Sequence, residues 1–312
     1  MRNPLRLPLA RMARCLAVPL VVILALAGCS GTQVLNALAS SDTYTLQADV
    51  PYGPEPRHRL DIYLPTRPAA TPAPVVVFFY GGTWREGSRK DYLFVGEALA
   101  SRGIMAVVAD YQLYPAVTYP SFLHDSAKAV AWTARHIAGL GGDPNKLFVM
   151  GHSAGGYNAA MVALDPRWLG AEGLSPSILA GWLGLAGPYD FLPIENPDVM
   201  PVFSFPGTPT DSQPIHHASA QAPRTFLRAG TGDTAVEPQR NTMQLARLLG
   251  EAGVKVDFRL YSGVGHVMMA GSLAWPLRAW APVLDDVSAF VLSPPSSGYS
   301  AQGINPAYAA PR

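Results

Sequence analysis

The sequence predicts an α/β protein with a mostly parallel central sheet flanked by helices on both faces. Three observations carry that prediction. From Val75 onward, short apolar runs alternate with longer stretches of helical spacing. The run from Val75 to Tyr80 is apolar and aromatic throughout, as a strand buried on both faces must be. Glycine and proline number 29 and 30 among 312 residues, so tight connections recur along the chain. The composition, 49% hydrophobic and 14% charged, is that of a folded chain with enough apolar surface for one large core or two. The formal net charge is +1, with no basic stripe or acidic tail, which argues against a nucleic-acid partner or a polyanionic substrate.

The elements follow in order. Arg2, Arg6, Arg11 and Arg14 precede an apolar run from Leu16 to Ala27, the pattern of a signal peptide and too short for a comfortable membrane span. The run ends in Leu26-Ala27-Gly28-Cys29, which resembles a bacterial lipobox. That resemblance implies cleavage before Cys29, lipid on that cysteine, and an exported envelope lipoprotein on the periplasmic or cell-surface side. An ordinary signal peptide or an uncleaved anchor helix are the alternatives. The chain has two cysteines, Cys15 and Cys29, so a mature lipoprotein would hold neither a disulfide nor a thiolate zinc site. Residues 1–28 are thus expected as signal peptide, 29–42 as a small, polar tether, and 43–293 as the folded domain.

Thr43 to Val50 and His58 to Tyr63 alternate and predict strands, separated from the strand at Val75 by a proline-rich turn. Helices are expected over Tyr92–Arg102, Phe122–Leu140, from Ala154, over Pro238–Gly250 and over Leu273–Leu292. Strands are expected at Ile104–Ala109, Leu147–Met150, Leu179–Ala186, Thr225–Ala229 and Val254–Tyr261. Residues 190–221 are rich in proline without a clear period and form the expected insertion or lid. Residues 294–312 read as a disordered tail.

The strongest chemical signal is Gly151-His152-Ser153-Ala154-Gly155, placed between an expected strand and an expected helix. A serine on such a turn is exposed at its tip, and the helix behind it directs positive charge toward it. Ser153 is therefore the expected nucleophile. It needs a base. Of seven histidines, His266 alone lies after a late strand in a glycine-flanked loop. His152 is expected to point elsewhere, His124 and His136 sit within a helix, and His216 and His217 are reserves for substrate contact in the lid. The base needs an orienting acid. Asp233 follows a strand in Gly230-Thr231-Gly232-Asp233, and Ser153, Asp233, His266 is a chain order known for this constellation. Asp190 and Glu237 are rivals for the acid, while Asp110 and Asp125 look structural. The oxyanion donors are expected from the backbone of Gly82 and Thr83, in Tyr80-Gly81-Gly82-Thr83-Trp84, and of Ala154.

With Asp110-Tyr111-Gln112-Leu113, Gly142-Asp143-Pro144-Asn145-Lys146, Gly187-Pro188-Tyr189-Asp190 and Gly265-His266, these motifs resemble the α/β-hydrolase superfamily, and within it the esterases of the hormone-sensitive lipase and feruloyl or carboxylesterase-like groups. The resemblance spans Tyr44 to Leu292 and implies an α/β-hydrolase fold and a serine carboxylic ester hydrolase that needs no metal or organic cofactor. The family commonly has histidine where this chain has Tyr80, a histidine that supports the oxyanion loop. Trp84 stands where relatives keep an aromatic near that loop. Tyr80, Trp84 and Tyr111 would suit a flat substrate, so an aryl formamidase or a peptidase on the same fold is a second expectation. A hydrolase-fold binding module that has lost catalysis is the third. The partners expected are a small-molecule ester and, through Cys29, a membrane; nothing in the sequence fixes an oligomeric state.

Overall fold

The computed structural model describes residues 31–67 and 72–294, so the expected signal peptide, Cys29 and the tail from residue 295 lie outside the described residues. The strands are β1 (Tyr44–Pro51), β2 (Arg59–Pro65), β3 (Ala73–Phe79), β4 (Met105–Ala109), β5 (Gly142–His152), β6 (Leu179–Leu185), β7 (Thr225–Gly230) and β8 (Val256–Tyr261). They form one sheet in the order β1-β2-β4-β3-β5-β6-β7-β8. β2 is antiparallel to both its neighbours, and β4, β3, β5, β6, β7 and β8 run parallel. β3, β4 and β7 are buried at every residue; β3 and β4 are apolar throughout, as cover on both faces requires, and in β7 the buried Arg228 pairs with Asp257 and Asp286. The fold is that of an α/β hydrolase.

The helices are α1 (Gly31–Leu38), α2 (Leu93–Ala100), α3 (Ser121–His136), α4 (Ala154–Leu164), α5 (Pro166–Ala171), α6 (Gln244–Glu251), α7 (His266–Gly271) and α8 (Val283–Leu292). Rings of β5 and β7 meet α8 through Phe148, Phe226 and Phe290. α4 is buried along its whole length, packed beside α3 and against the central strands.

Two expectations change. The helix foreseen over Leu273–Leu292 begins only at Val283, after a single 3-10 turn at Leu277–Ala279. Pro276 and Pro282 lack the N–H that helical pairing needs, and they interrupt an otherwise apolar stretch. Most of the foreseen tether is the helix α1. It places Leu35 against the core, and its Asn36 donates to the Lys90 carbonyl at 2.8 Å and accepts from the Phe94 N–H at 3.1 Å. An eight-residue helix has little stability alone, so these contacts are what hold it.

The sheet also sets where chemistry can occur. After β3 the chain adds β4 on one side, then crosses to add β5 on the other. Such a switch point opens a crevice at the carboxyl ends of the strands. The ends of β3, β5, β7 and β8 all lie on that edge, because these strands are parallel.

Candidate active site

β5 passes into α4 through one residue, Ser153, whose φ is 56° and ψ −125°. A non-glycine residue held there costs about 1–3 kcal/mol, so the surroundings must impose it. They do so by close packing. A Cβ at Gly151 would lie 2.0 Å from the Gly155 carbonyl oxygen, and one at Gly155 would lie 2.0 Å from the Phe79 carbonyl oxygen. The Ser153 N–H donates to the Leu185 carbonyl at 3.0 Å, fixing the turn to the end of β6.

The loops after β7 and β8 are laced together. Thr231 N–H donates to the Tyr261 carbonyl at 2.9 Å, Gly232 N–H to that of Val264 at 3.0 Å, and Gly263 N–H to the Thr231 hydroxyl at 2.9 Å. This brings Asp233 and His266 together and aims both at Ser153. The His266 Nδ1 lies 2.7 Å from Asp233 Oδ2, and its Nε2 lies 2.8 Å from Ser153 Oγ. A carboxylate only accepts, so Nδ1 carries the proton and Nε2 accepts from the serine hydroxyl. Asp233 Oδ1 accepts from the N–H groups of Ala235 and Val236, both at 2.9 Å. Burial alone would raise the Asp233 pKa, but the hydrogen bonds from His266 and from these two amides outweigh it and hold the carboxyl below its ordinary value.

His152 does not point away as expected. It lines the cleft, its ring centroid 4.9 Å from that of His266, and its Nε2–H donates to the His266 carbonyl at 3.0 Å. Burial, followed by repulsion from His266, lowers its pKa to about 3, so its ring is neutral in ordinary buffers.

Gly82, Thr83 and Trp84 have φ of 122°, 51° and 58°. A left-handed β-branched threonine is an outlier, and strained backbone of this kind persists only where its surroundings impose it. Gly82, Thr83 and Ala154, the first residue of α4, line the same cleft as Ser153. Tyr80 and Tyr111, expected in the substrate pocket, are instead fully buried behind this loop. Tyr80 is stacked between Tyr92 and Tyr111, with centroids 5.4 and 4.9 Å away. Its hydroxyl donates to Asp110 Oδ1 at 2.7 Å and accepts from Arg57 Nη2 at 2.6 Å, while the Tyr111 hydroxyl donates to the Tyr80 carbonyl at 2.7 Å. Asp110 also receives Arg89 Nη1 at 2.5 Å, and Arg89 Nε reaches Asp61 at 2.8 Å. The tyrosine thus braces the loop through its ring and its hydroxyl. Trp84 does reach the cleft, but most of its surface packs on Phe122, Phe191, Phe203 and Tyr157, and its Nε1–H donates to Asn158 Oδ1 at 2.9 Å.

The remaining expectations separate cleanly. Asp190 pairs with Arg240 at 3.2 Å rather than with a histidine. Glu237 accepts from the N–H groups of Gln239 and Arg240, capping a helical turn. His217 binds the Asp211 carbonyl at 2.7 Å, and neither it nor His216 lines the cleft. Asp125 binds the buried His58 at 2.8 Å, joining the residue before β2 to α3. Part of the expected lid forms one wall, through Phe191, Pro193, Ile194 and Val199, with Pro188 just before it. Asn241 was not foreseen. It sits in a π-helical turn over Gln239–Met243, and its Oδ1 accepts from the N–H groups of Tyr189 and Asp190 at 2.6 and 2.9 Å, anchoring that wall. The cleft has a volume of about 900 Å³, roomy for a small-molecule site. Among the described residues, no cluster of three or more His, Cys, Asp or Glu side chains is placed to hold a metal ion.

Comparison with known proteins agrees with this fold. The BD-FAE family model matches residues 60–172, and the prolyl oligopeptidase family model matches residues 123–274. A probable isoprenylcysteine alpha-carbonyl methylesterase of Oryza sativa subsp. japonica is 32% identical over 69% of this chain and 56% of its own length. Esterase LipC of Mycobacterium tuberculosis is 28% identical over 72% of this chain and 60% of its own. The chain therefore spans little more than half the length of these relatives. Among solved structures, a Pyrobaculum calidifontis esterase superposes with a TM-score of 0.67 at 22% identity, covering 83% of this chain and 88% of that one. A carbohydrate esterase from gut microbiota gives 0.66 at 19%, covering 81% and 97%. In fold, and in the sequence of its central residues, the chain is similar to the α/β hydrolases.

Proposed function

We propose that the protein hydrolyses carboxylic esters through an acyl-enzyme on Ser153. The observation that carries this is the unbroken relay from Asp233 through His266 to Ser153 Oγ, at 2.7 and 2.8 Å, beside the strained Gly82–Trp84 loop. Ser153 Oγ attacks the ester carbonyl as its proton passes to His266 Nε2. Asp233 holds the ring in the tautomer that accepts this proton and stabilises the resulting imidazolium. The carbonyl oxygen, now negative, takes hydrogen bonds from the N–H groups of Gly82, Thr83 and Ala154. His266 returns its proton to the departing alcohol, leaving the acyl group on Ser153. Water then attacks that acyl group, giving its proton to His266, and the acid leaves as the serine regains its hydrogen. In the same reading the chain is exported and held to a membrane by lipid on Cys29, as the lipobox-like Leu26–Cys29 suggests.

The match to the prolyl oligopeptidase family model supports a second reading, in which the same machinery cleaves an amide. The relay suits both bonds, and the named relatives favour esters. Wild type and Ser153→Ala should be assayed on nitrophenyl esters of rising acyl length, on an aryl formamide and on peptide amides. Ester turnover that vanishes in the variant, with an organophosphorus adduct found by mass spectrometry on the Ser153 peptide, is expected. Turnover of amides alone would replace the ester reading. Loss of neither activity in Ser153→Ala would remove the serine from the mechanism. Intact mass spectrometry tests the anchor: an unmodified Cys29 in membrane-derived protein would refute it.

A further inference from the structure

We propose that the rim of the cleft formed by α1 and residues 267–280 rests on the bilayer, so that the enzyme takes esters carried in the membrane rather than free in water. The inference rests on the reading of an ester hydrolase anchored near Cys29. It starts from where the anchor must lie. Gly31 and Thr32, the first residues of α1, line the mouth of the cleft itself. Two residues of chain span at most about 7 Å, so a lipid carried two residues before Gly31 would be tethered close to this rim. α1 cannot swing the anchor elsewhere without breaking the Asn36 bonds to Lys90 and Phe94 and withdrawing Leu35 from the core.

A second observation lies on the same rim. Val267, beside the proton-accepting His266, is 75% exposed, and Trp275 and Trp280 are 60% and 70% exposed. Leu277 between them lines the mouth. Single exposed apolar residues are ordinary, but two exposed indoles flanking a cleft are not. Tryptophan favours the boundary between headgroups and acyl chains, where its ring is apolar and its N–H stays wet. The two parts of the rim share one support. Arg278 Nη2 donates to Glu97 Oε2 of α2 at 3.1 Å, and α1 is tied to the first turn of the same helix. Anchor and indoles are thus held on one side of the cleft, and the bilayer is the one surface that meets both. Among the described residues no helix is long and apolar enough to cross a membrane, so the contact is at the interface. An ester with its apolar part dissolved in the acyl chains would then pass straight along the wall of Ile194, Val199 and Leu277 to Ser153.

The test uses the full chain reconstituted in vesicles of phosphatidylcholine and phosphatidylglycerol, beside a Trp275→Ser/Trp280→Ser variant. Two readouts are taken: quenching of tryptophan fluorescence by lipids brominated in the upper acyl chain, and turnover of a long-chain ester in the vesicles relative to a water-soluble nitrophenyl acetate. Wild type should be quenched and the variant much less so. The variant should lose about fivefold or more on the vesicle ester while keeping its rate on nitrophenyl acetate, which also reports that it is folded. Protein that binds vesicles with no lipid quenching and an unchanged ratio of rates would overturn the proposal and leave the ester and anchor readings intact. Indoles shielded from both lipid and aqueous quenchers, with a dimer in crosslinking, would assign the rim to a second copy instead. Failure to turn over nitrophenyl acetate in wild type would point to the ester reading itself, and failure to bind vesicles to the anchor, and the proposal would fall with either.

Discussion

Two regions that line the cleft are held by different forces. The loop after β3, with Gly82 and Thr83, rests on buried charge and hydroxyls: Tyr80, Tyr111, Asp110, Arg57 and Arg89 join by bonds of 2.5–2.8 Å. The rim, from α1 through residues 188–199 and 267–277, is largely apolar and rests on packing, with a few ties such as Asn36 and Asn241. Polar networks are directional and have one good arrangement, whereas apolar contacts tolerate shifts of shape. The floor is therefore suited to hold the reacting atoms and the rim to vary with substrate. The difference teaches where mutations should cost rate and where they should change preference.

The comparison breaks first at the floor. Ser153→Ala is expected to lower kcat/KM on a nitrophenyl ester by about 10⁵-fold or more while leaving the melting temperature near that of wild type. Asp233→Asn should cost about 10³- to 10⁴-fold, because the ring loses the partner that fixes its tautomer. Asp190→Asn, which disturbs only a part-exposed pair with Arg240, should cost less than about fivefold in the same assay. Equal losses in the two variants would reopen the assignment of the acid.

A milder test separates bracing from catalysis. Tyr80→Phe keeps the ring stack but removes the hydroxyl between Arg57 and Asp110. Urea unfolding should show a loss of about 2 kcal/mol, and kcat should fall about tenfold with little change in KM, as a loosened donor loop predicts. An unchanged kcat with the full stability loss would confine the tyrosine to folding.

Acid stability gives a further handle. The folded His152 titrates near pH 3, well below its ordinary value, so between about pH 6.5 and that point the unfolded chain holds a proton the native one lacks. Stability contributed by the neutral ring is thus present above pH 6.5 and is lost as pH falls, by up to about 1.4 kcal/mol per pH unit. The depressed Asp233 carboxyl adds a loss in the same direction, starting at lower pH. Urea midpoints measured from pH 7.5 to pH 4.5 should decline more steeply in wild type than in His152→Gln. At the rim, Ile194→Ala should shift preference toward longer acyl chains by only about three- to tenfold, with kcat on the best substrate nearly kept.

Much of this was legible in the sequence, and the failures have causes. The strands β3 to β6 were readable because each carries a short apolar run closed by glycine, proline or a polar turn. Ser153, Asp233 and His266 were readable because parallel strands deliver whatever follows their carboxyl ends to one edge, and the three residues follow β5, β7 and β8. What escaped depended on partners distant in the chain. Tyr80 and Tyr111 look like pocket residues beside a glycine pair, and only the buried Asp110 and Arg57 reveal them as supports. His152 was expected to face away because it neighbours the serine, yet the bond it makes is to a carbonyl 114 residues distant. α1 looked like a tether, since its helix is held by contacts with residues 90–94 rather than by its own composition. Asn241 carried no signal at all, because a π turn leaves no mark in hydrophobic spacing.

The serine and its base stand 113 residues apart in the chain, on opposite sides of β6 and β7 in the sheet. During synthesis from the amino end, β5 and its serine turn emerge long before the last two strands. Until β8 has paired and α7 has seated His266, a growing chain holds a strained hydroxyl with no base to take its proton. In the proposed mechanism hydrolysis would report that β5 to β8 are all in place, and a chain cut anywhere before residue 266 would lack its base however well its first half has folded.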